Sequence, residues 1–297
     1  MSAAPSTAVL IVTRERRAQV LAALRALTAL PEAPALSVFV LDQGSRDGTA
    51  GAVSAWLAAH GSVFTRTACL RSEDNRGAAA GRNRLAAAAH GHDLFFFLDD
   101  DAVPEPGCLT AALAAAGADV GVVGTRVVAL DDPGRDLAGA GFVDWRLGRF
   151  HERTPAETVD CDFVITCAAL VRADAFRAAG GFDEDYFVYH EDVDFGVRVR
   201  RAGYRVRWAP RAVVRHRAAL HDGRAADRLY YLTRNKFLFL RKHRPWPRHP
   251  LPWLLYGGGL VPALAVRALL QGRGRAGLAA VVAGGRDGLL GRTGARP

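Results

Sequence analysis

The chain has 297 residues, half of them hydrophobic, enough to build the core of one large α/β domain with an appendage. Its four cysteines (Cys69, Cys108, Cys161 and Cys167) form no C-x-x-C pair, which argues against structural zinc, and with no secretory leader in view the expected setting is a reduced cytoplasm. The net charge of +9 hides an asymmetry: residues 1–194 carry 17 Arg/Lys against 27 Asp/Glu, and residues 195–297 carry 22 against 3. An acidic half followed by a basic tail fits attraction to an anionic surface.

Residues 8–13 read as a short apolar strand, after which Val20, Leu21, Leu24 and Leu27 share one face of a helix over 14–30. A second strand over 36–41 ends in the polar turn Asp42-Gln43-Gly44-Ser45-Arg46-Asp47-Gly48-Thr49, and a helix runs from there to about His60 with Asp47 or Thr49 as its N-cap. A third strand at 67–71 leads through the loop 73–77 into an Ala-rich helix over 78–90. Strand and helix alternate three times with a polar loop at each strand's carboxyl end, which predicts a doubly wound, mostly parallel α/β sheet. No G-x-x-x-x-G-K-[ST] loop is present and no G-x-G-x-x-G follows the first strand, so ATPase and ordinary dehydrogenase readings start weak.

A fourth strand, 93–98, carries Phe95-Phe96-Phe97-Leu98 and delivers Asp99-Asp100-Asp101 into a turn before Pro104. Packing does not favour three adjacent carboxylates, because like charges repel and desolvation is costly. A solvated acidic turn capping the next helix would account for them. After a strand buried on both faces, at the sheet edge where α/β folds bind ligands, a hard divalent cation (Mg2+ or Mn2+) that shares its shell with substrate phosphates fits better.

Further on, 120–128 reads as a strand, 130–158 as an irregular stretch holding Trp145, 161–171 as a strand and 173–179 as a short helix. Glu191 and Asp192 stand where a helix begins, a placement that the helix dipole alone explains as well as catalysis does. Residues 206–214 read as two short strands broken at Pro210 and leading to His216; a helix is expected over 224–242. The apolar run 251–266 is short for a membrane span and broken by Pro252, Pro262 and three glycines. With Trp246, Trp253 and Tyr256 beside Arg241, Lys242, Arg244 and Arg267 it suits a segment lying in a membrane interface, the alternative being a helical hairpin packed on the main domain or on a second subunit.

Together these pieces resemble the inverting, nucleotide-sugar-dependent family 2 glycosyltransferases of GT-A fold, including bacterial rhamnosyl- and galactofuranosyltransferases. The resemblance covers roughly residues 7–245. It rests on Asp42-Gln43-Gly44-Ser45-Arg46-Asp47-Gly48-Thr49, on Asn75-Arg76-Gly77 with Gly81-Arg82-Asn83, on Asp99-Asp100-Asp101, and on Gly180-Gly181-Phe182-Asp183-Glu184 through Glu191-Asp192-Val193-Asp194. It implies a GT-A domain over 1–222, with a nucleotide half to about 128 and an acceptor half from about 129, followed by a basic, helical, membrane-associating region over 223–297. It implies that Asp42 hydrogen-bonds the base with Arg82 nearby, and that Thr13, Ser45, Asn75, Gly77, Asp99 and Asp100 line the donor site. Asp101 and His216 would bind a divalent cation, Asp192 would be the base, kept ionised near a helix N-terminus, and Glu191 would orient the acceptor.

The implied partners are a UDP- or dTDP-sugar and a glycan or lipid-linked acceptor, with no nucleic acid, at the inner face of the plasma membrane in cell-wall or polysaccharide synthesis. Two departures stand out. The first-strand turn reads Thr13-Arg14-Glu15-Arg16 where the family has Asn after an aromatic, and Tyr204 replaces the Gln of the processive Q-x-x-R-W motif before Arg207-Trp208, so a single-addition enzyme is expected. The competing readings are a nucleotidyltransferase-like enzyme, whose Gly-rich loop is missing after the first strand, and a non-catalytic nucleotide- or nucleic-acid-binding protein, which leaves the aspartates unexplained.

Overall fold

The computed structural model describes residues 5–217, 225–270 and 274–296. In chain order the first half comprises β1 (Thr7–Thr13), α1 (Arg17–Thr28), β2 (Leu36–Gln43), α2 (Thr49–His60), β3 (Arg66–Ser72), α3 (Gly77–Ala88), β4 (Leu94–Asp99), β5 (Ala102–Pro104), α4 (Cys108–Ala115) and β6 (Val120–Ala129). The second half adds β7 (Asp136–Ala138), β8 (Ala140–Asp144), β9 (Arg149–Arg153), β10 (Val159–Cys161), β11 (Ala168–Arg172), α5 (Ala173–Ala178), α6 (Glu191–Arg201), β12 (Arg205–His216) and α7 (Ala225–His243). The chain ends in α8 (Pro250–Leu254), a π-helical turn at Leu255–Leu260, α9 (Val261–Leu270) and α10 (Gly274–Leu290).

The main sheet runs β10-β12-β6-β11-β4-β1-β2-β3, with β5 on β12 and β7 on β6. Strands β3, β2, β1 and β4 are parallel, as the alternation of strands and helices requires, and their residues are buried on both faces where the sheet is central. Val9, Ile11, Val38, Val40, Phe96 and Leu98 pack toward α1 and α2. Their neighbours Leu10, Phe39, Leu41, Phe95 and Phe97 pack toward α3 and the Phe176–Phe182–Phe195 cluster. The sheet is mixed because β11 runs antiparallel between β4 and β6. The chain returns from β6 to β11 without a crossover helix, so no parallel βαβ unit forms there.

Three local expectations change. The stretch 130–158 is not irregular: β7 joins β6, and β8–β9 form a hairpin whose Val143, Trp145 and Phe150 pack on Phe163, Val193, Val197 and Phe239. Its strands are short and β9 is largely exposed, so no apolar alternation marks them. The strand expected over 161–171 is split into β10 and β11. The pair expected around Pro210 is instead one strand, β12, with a bulge: Ala209 pairs with Thr125 and Val213 with Arg126, looping 210–212 out of register. A bulge tolerates proline because that ladder position needs no N–H.

The C-terminal helices differ more. α7 is fused to the domain, its Tyr230, Arg234, Asn235, Phe237, Phe239 and Leu240 being buried, and the proposed boundary at 222/223 lies outside the described residues. Gly284 and Gly288 of α10 lie against α7, where a Cβ would come within 2.5 Å of Tyr230 O and 2.8 Å of Arg234 O. Trp253 and Tyr256, expected in a membrane interface, turn inward. Trp253 Nε1 donates to Arg244 O (2.7 Å), Tyr256 Oη donates to Thr233 O (3.1 Å), and both rings pack on Phe237. Trp246 is exposed, as are Leu251, Leu254, Leu255, Leu260 and Val266.

Candidate active site

The acidic turn sits where β4 leaves the sheet: Asp99 ends the strand, and Asp100 and Asp101 form the turn that follows. Asp99 and Asp101 gather at the end of β12, where His216 meets both. His216 Nε2 lies 3.0 Å from Asp101 Oδ1 and 3.9 Å from Asp99 Oδ2, and the three residues offer ligand atoms within 4.8 Å of one another. β12 reaches this point because it pairs with β5, His216 opposite Ala102. Asp100 turns inward instead. It accepts from Thr13 Oγ1 (2.7 Å) and from Arg16 Nη1 (3.0 Å), and the same Arg16 nitrogen lies 2.5 Å from Asp101 Oδ2. Thr13 and Asp100 therefore brace β1 against the turn.

The loops after β1, β2 and β3 lock one another. Asp42, fully buried, accepts the Ser45 N–H (3.1 Å), while its Oδ1 is buried without a partner. Ser45 Oγ accepts the Glu15 N–H (2.8 Å), tying this loop to the turn after β1. The residue at the N-cap of α2 is Gly48, in the left-handed region, and Asp47 accepts the Thr49 N–H. Arg71 Nε lies 3.8 Å from Asp42 Oδ2, while Arg82 pairs with Asp99 and Glu191. Gly44, Arg46, Arg71, Ser72 and Glu73 line an open cleft of about 480 Å³ beside Asp42. A Cβ at Gly44 (φ +71) would lie 2.2 Å from Glu73 O, so only glycine lets these two loops meet. Asn75 accepts the Gly77 N–H (3.0 Å), and Gln43 spans the same loop, donating to Gly77 O and accepting from Arg76 N (both 3.0 Å).

Arg82 and Asn83 couple these loops to Phe182 and to Glu191 at the start of α6. Arg82 donates to Asp99 Oδ1 (3.0 Å) and Glu191 Oε1 (2.7 Å) from a buried position over the Phe182 ring. Asn83 makes a reciprocal amide clamp on Phe182, accepting its N–H (2.8 Å) and donating to its O (2.9 Å). The loop before α6 then runs through Phe187, Tyr189 and His190, all at positive φ (64°, 66° and 68°), which side chains tolerate only when surroundings hold them there. Asn235 of α7 does this by donating to Tyr186 O, Val188 O and Tyr189 O, and Arg234 adds a bond to Tyr186 O.

A family model described as "Glycosyltransferase like family 2" matches residues 4–232. The chain belongs to that family. Over 131 residues it is 37% identical to the N-acetylglucosaminyl-diphospho-decaprenol L-rhamnosyltransferase of Mycobacterium tuberculosis, covering 43% of this chain and 41% of that protein. It is 33% identical over 167 residues to the pre-mycofactocin glycosyltransferase of the same species, covering 54% of this chain and 35% of that protein. The chain therefore spans well under half the length of these relatives. Among solved structures, the mannosyltransferase PcManGT from Pyrobaculum calidifontis, in complex with GDP-Man and Mn2+, superposes with a TM-score of 0.66 at 18% identity, covering 96% of this chain and 87% of that one. S. aureus TarS 1–349 in complex with UDP-GlcNAc gives 0.58 at 14%, covering 96% and 92%. The fold is that of the GT-A glycosyltransferases, and the nucleotidyltransferase-like and nucleic-acid-binding alternatives are not favoured.

In this family member the two carboxyls at the start of α6 differ in surroundings. Glu191 is buried and held by Arg82. Asp192 is partly buried, and its Oδ1 accepts the Val193 N–H (2.8 Å). Burial, reinforced by the Glu191 charge, pushes the Asp192 carboxyl up to about 8, against the expectation that it stays ionised at neutral pH. A helix end is worth roughly 0.3–1 kcal/mol, less than the ~1.4 kcal/mol of a single pKa unit, so the dipole does not offset desolvation. In the same first turn Asp194 anchors α6 to α7. It accepts from Arg198 Nε (2.6 Å), Lys242 Nζ (2.8 Å) and His243 Nε2 (2.8 Å). Because Arg201 donates to His243 Nδ1 (2.7 Å), the imidazole proton sits on Nε2.

Burial works to raise the Asp194 carboxyl, but the His243 hydrogen bond and the Arg198 and Lys242 charges hold it down to about 2. A depressed folded-state pKa adds stability that is present above the unfolded value of 3.8 and lost as pH falls from there toward 2. Asp194→Ala should lower unfolding stability by about 3–5 kcal/mol at pH 7. It should also flatten the acid limb of the stability curve between pH 4 and 2, as read by urea titration across that range.

Proposed function

We propose that the chain transfers one sugar from a nucleoside-diphosphate donor to a hydroxyl of a glycan or lipid-linked acceptor, with inversion and with Asp192 as the base. The observation that carries this reading is the meeting of Asp99, Asp101 and His216 at the carboxyl end of β4 while Arg82 ties Asp99 to Glu191, the neighbour of Asp192. Two carboxylates and an imidazole are a donor set suited to Mg2+ or Mn2+. A divalent cation bound there would supply Lewis acidity to the departing diphosphate. The chain's own residues supply the rest. The cleft at Gly44, Arg71 and Ser72 would take the nucleobase, with buried Asp42 ordering the loop beneath it. Neighbouring residues in a helix point about 100° apart, so with Glu191 committed to Arg82, Asp192 is the one that can turn to the acceptor.

The acceptor oxygen attacks the anomeric carbon as Asp192 takes its proton. The bond from that carbon to the donor phosphate oxygen breaks, and the nucleoside diphosphate leaves with the electron pair. One displacement from the opposite face inverts the centre and needs one base, whereas retention needs a second carboxylate as nucleophile. A lipid-linked acceptor is supported by the name of the M. tuberculosis rhamnosyltransferase, which specifies a diphospho-decaprenol, and UDP- or dTDP-sugars are the donors to test.

Asp192→Asn should retain donor binding while transfer from the nucleotide sugar that turns over falls by on the order of 100-fold or more. A base must be deprotonated to act, so wild-type kcat/KM should rise with pH and level off above about 8, where Asp192 ionises. The raised pKa also means that the folded state binds the extra proton between 3.8 and about 8, so stability falls as pH rises through that window. Asp192→Asn should therefore unfold at higher temperature than wild type at pH 8. A variant that keeps near wild-type turnover would remove Asp192 from the mechanism.

Contact with an anionic membrane is the second element of the proposal. The helical stretch Pro250–Ala268 has a mean hydropathy of 1.2 with 17% of it buried, and its exposed Leu254, Leu255, Leu260 and Val266 lie in a region flanked by Arg241, Arg244, Arg248 and Arg267. Each basic residue near such a surface contributes about 1 kcal/mol. The full chain should co-sediment with phosphatidylglycerol vesicles, less so as salt rises, and Leu254→Glu with Leu260→Glu should weaken that binding. Equal recovery of the double variant and wild type would contradict the assignment.

A further inference from the structure

The turn after β1 carries a cation that the reading above does not use. Arg16 closes β1's exit over the acidic turn, its Nη1 3.0 Å from Asp100 Oδ1 and 2.5 Å from Asp101 Oδ2. The two carboxylates are almost wholly buried, while the Arg16 side chain keeps about a quarter of its surface exposed (26%). With His216 on its other oxygen, Asp101 is engaged on both sides. The parallel pairing of β1 with β4 sets this up, because Val12 lies opposite Asp99 and the residues that follow each strand emerge side by side. The backbone at this point is bound from the nucleotide loop as well. Glu15, in the left-handed region, donates its N–H to Ser45 Oγ and accepts the Arg46 N–H on Oε1.

We propose that Arg16 is an exchangeable internal cation: without donor it neutralises Asp100 and Asp101, and when a divalent cation engages Asp101 it transfers to the donor's diphosphate. The inference rests on the glycosyltransferase reading for the identity of the donor. Its physical basis is charge. A guanidinium and a divalent cation drawn to the same carboxylate repel each other, so the two cations exchange at Asp101, while Asp100 keeps its hydrogen bond from Thr13 Oγ1. The partly exposed guanidinium stands at the carboxyl edge of the sheet, where α/β folds hold phosphates, and its planar fork suits two phosphate oxygens better than a single carboxylate oxygen from each of two residues. The resting contact therefore blocks the metal face until cation and diphosphate arrive together. Arg82 does not play this part, because it is buried and bridges Asp99 to Glu191 across the two halves of the site.

The test is binding to the full chain by calorimetry, with Arg16→Ala and the longer, polar Arg16→Gln compared with wild type after circular dichroism has confirmed folding. The probes are Mn2+ alone and then UDP and dTDP in the presence of Mn2+. Removing an internal competitor should tighten Mn2+ binding about 10-fold in the absence of nucleotide, while removing a phosphate ligand should weaken nucleoside diphosphate binding by at least about 10-fold. The opposite signs are the signature, since loss of a merely structural ion pair would weaken both. Unchanged or weaker Mn2+ binding by both variants, with wild type binding Mn2+ and nucleotide normally, would overturn the role of Arg16 alone. If wild type bound neither Mn2+ nor either nucleotide, the glycosyltransferase reading would fall and this inference with it.

Discussion

Five carboxyl groups, those of Asp99, Asp100, Asp101, Glu191 and Asp192, meet at the carboxyl edge of one buried sheet, and much of the surrounding structure contains their mutual repulsion. Three partners do this at short range. Arg82 takes Asp99 and Glu191, Arg16 takes Asp100 and Asp101, and His216 takes Asp101 from the far side. The residual cost shows in three carboxyls that stay hard to ionise, Glu191 among them, raised by burial despite Arg82. Asp100 is pushed up to about 6 by burial despite Arg16, and Asp192 reaches about 8. A site that stores this much unfavourable charge is suited to take up cations and to accept a proton.

The same constraint explains why α7 is part of the scaffold that holds Glu191 and Asp192. Glu191 and Asp192 follow three residues in the left-handed region, and that loop is held by Asn235 and Arg234 of α7, while Asp194 pins α6 to Lys242 and His243. Strain at the start of α6 is offset by bonds from a helix that composition alone assigns to the basic tail. Lys236 of the same helix is buried over the Phe150 ring with no hydrogen-bond partner for Nζ, and burial pulls it down to about 6. Phe150 also meets His190, the residue that precedes Glu191.

Much of this was legible in the sequence, and the failures have physical causes. The first four strands and their helices followed from apolar runs separated by polar loops, because parallel strands covered on both faces are continuous in hydrophobicity. Asp99 and Asp101 were marked by their place after Phe95-Phe96-Phe97-Leu98. The motif residues Asn75, Gly77 and Asn83 were found, but not what they do: they bind the loops to one another, Asn83 to Phe182 across 99 residues. Arg16 and Gln43 were missed as site residues, because their partners depend on strand order. A signal existed for Arg16, a basic residue just past the strand that pairs with the aspartate strand, but it is readable only once β1 and β4 are known to be neighbours. The tail aromatics misled in a similar way. Periodicity places Trp253 and Tyr256 on one face of a helix without saying that this face meets Phe237.

The central claim, that Asp99, Asp101 and His216 form the cation and diphosphate site of a transferase whose base is Asp192, is tested most directly by anomalous diffraction from crystals grown with Mn2+ and a nucleoside diphosphate. The expected result is a manganese peak in contact with Asp101 and His216, the diphosphate beside it and the nucleobase in the cleft at Arg71. A nucleotide bound elsewhere, or bound there with no manganese at the triad and Arg16 still on Asp101, would contradict the account.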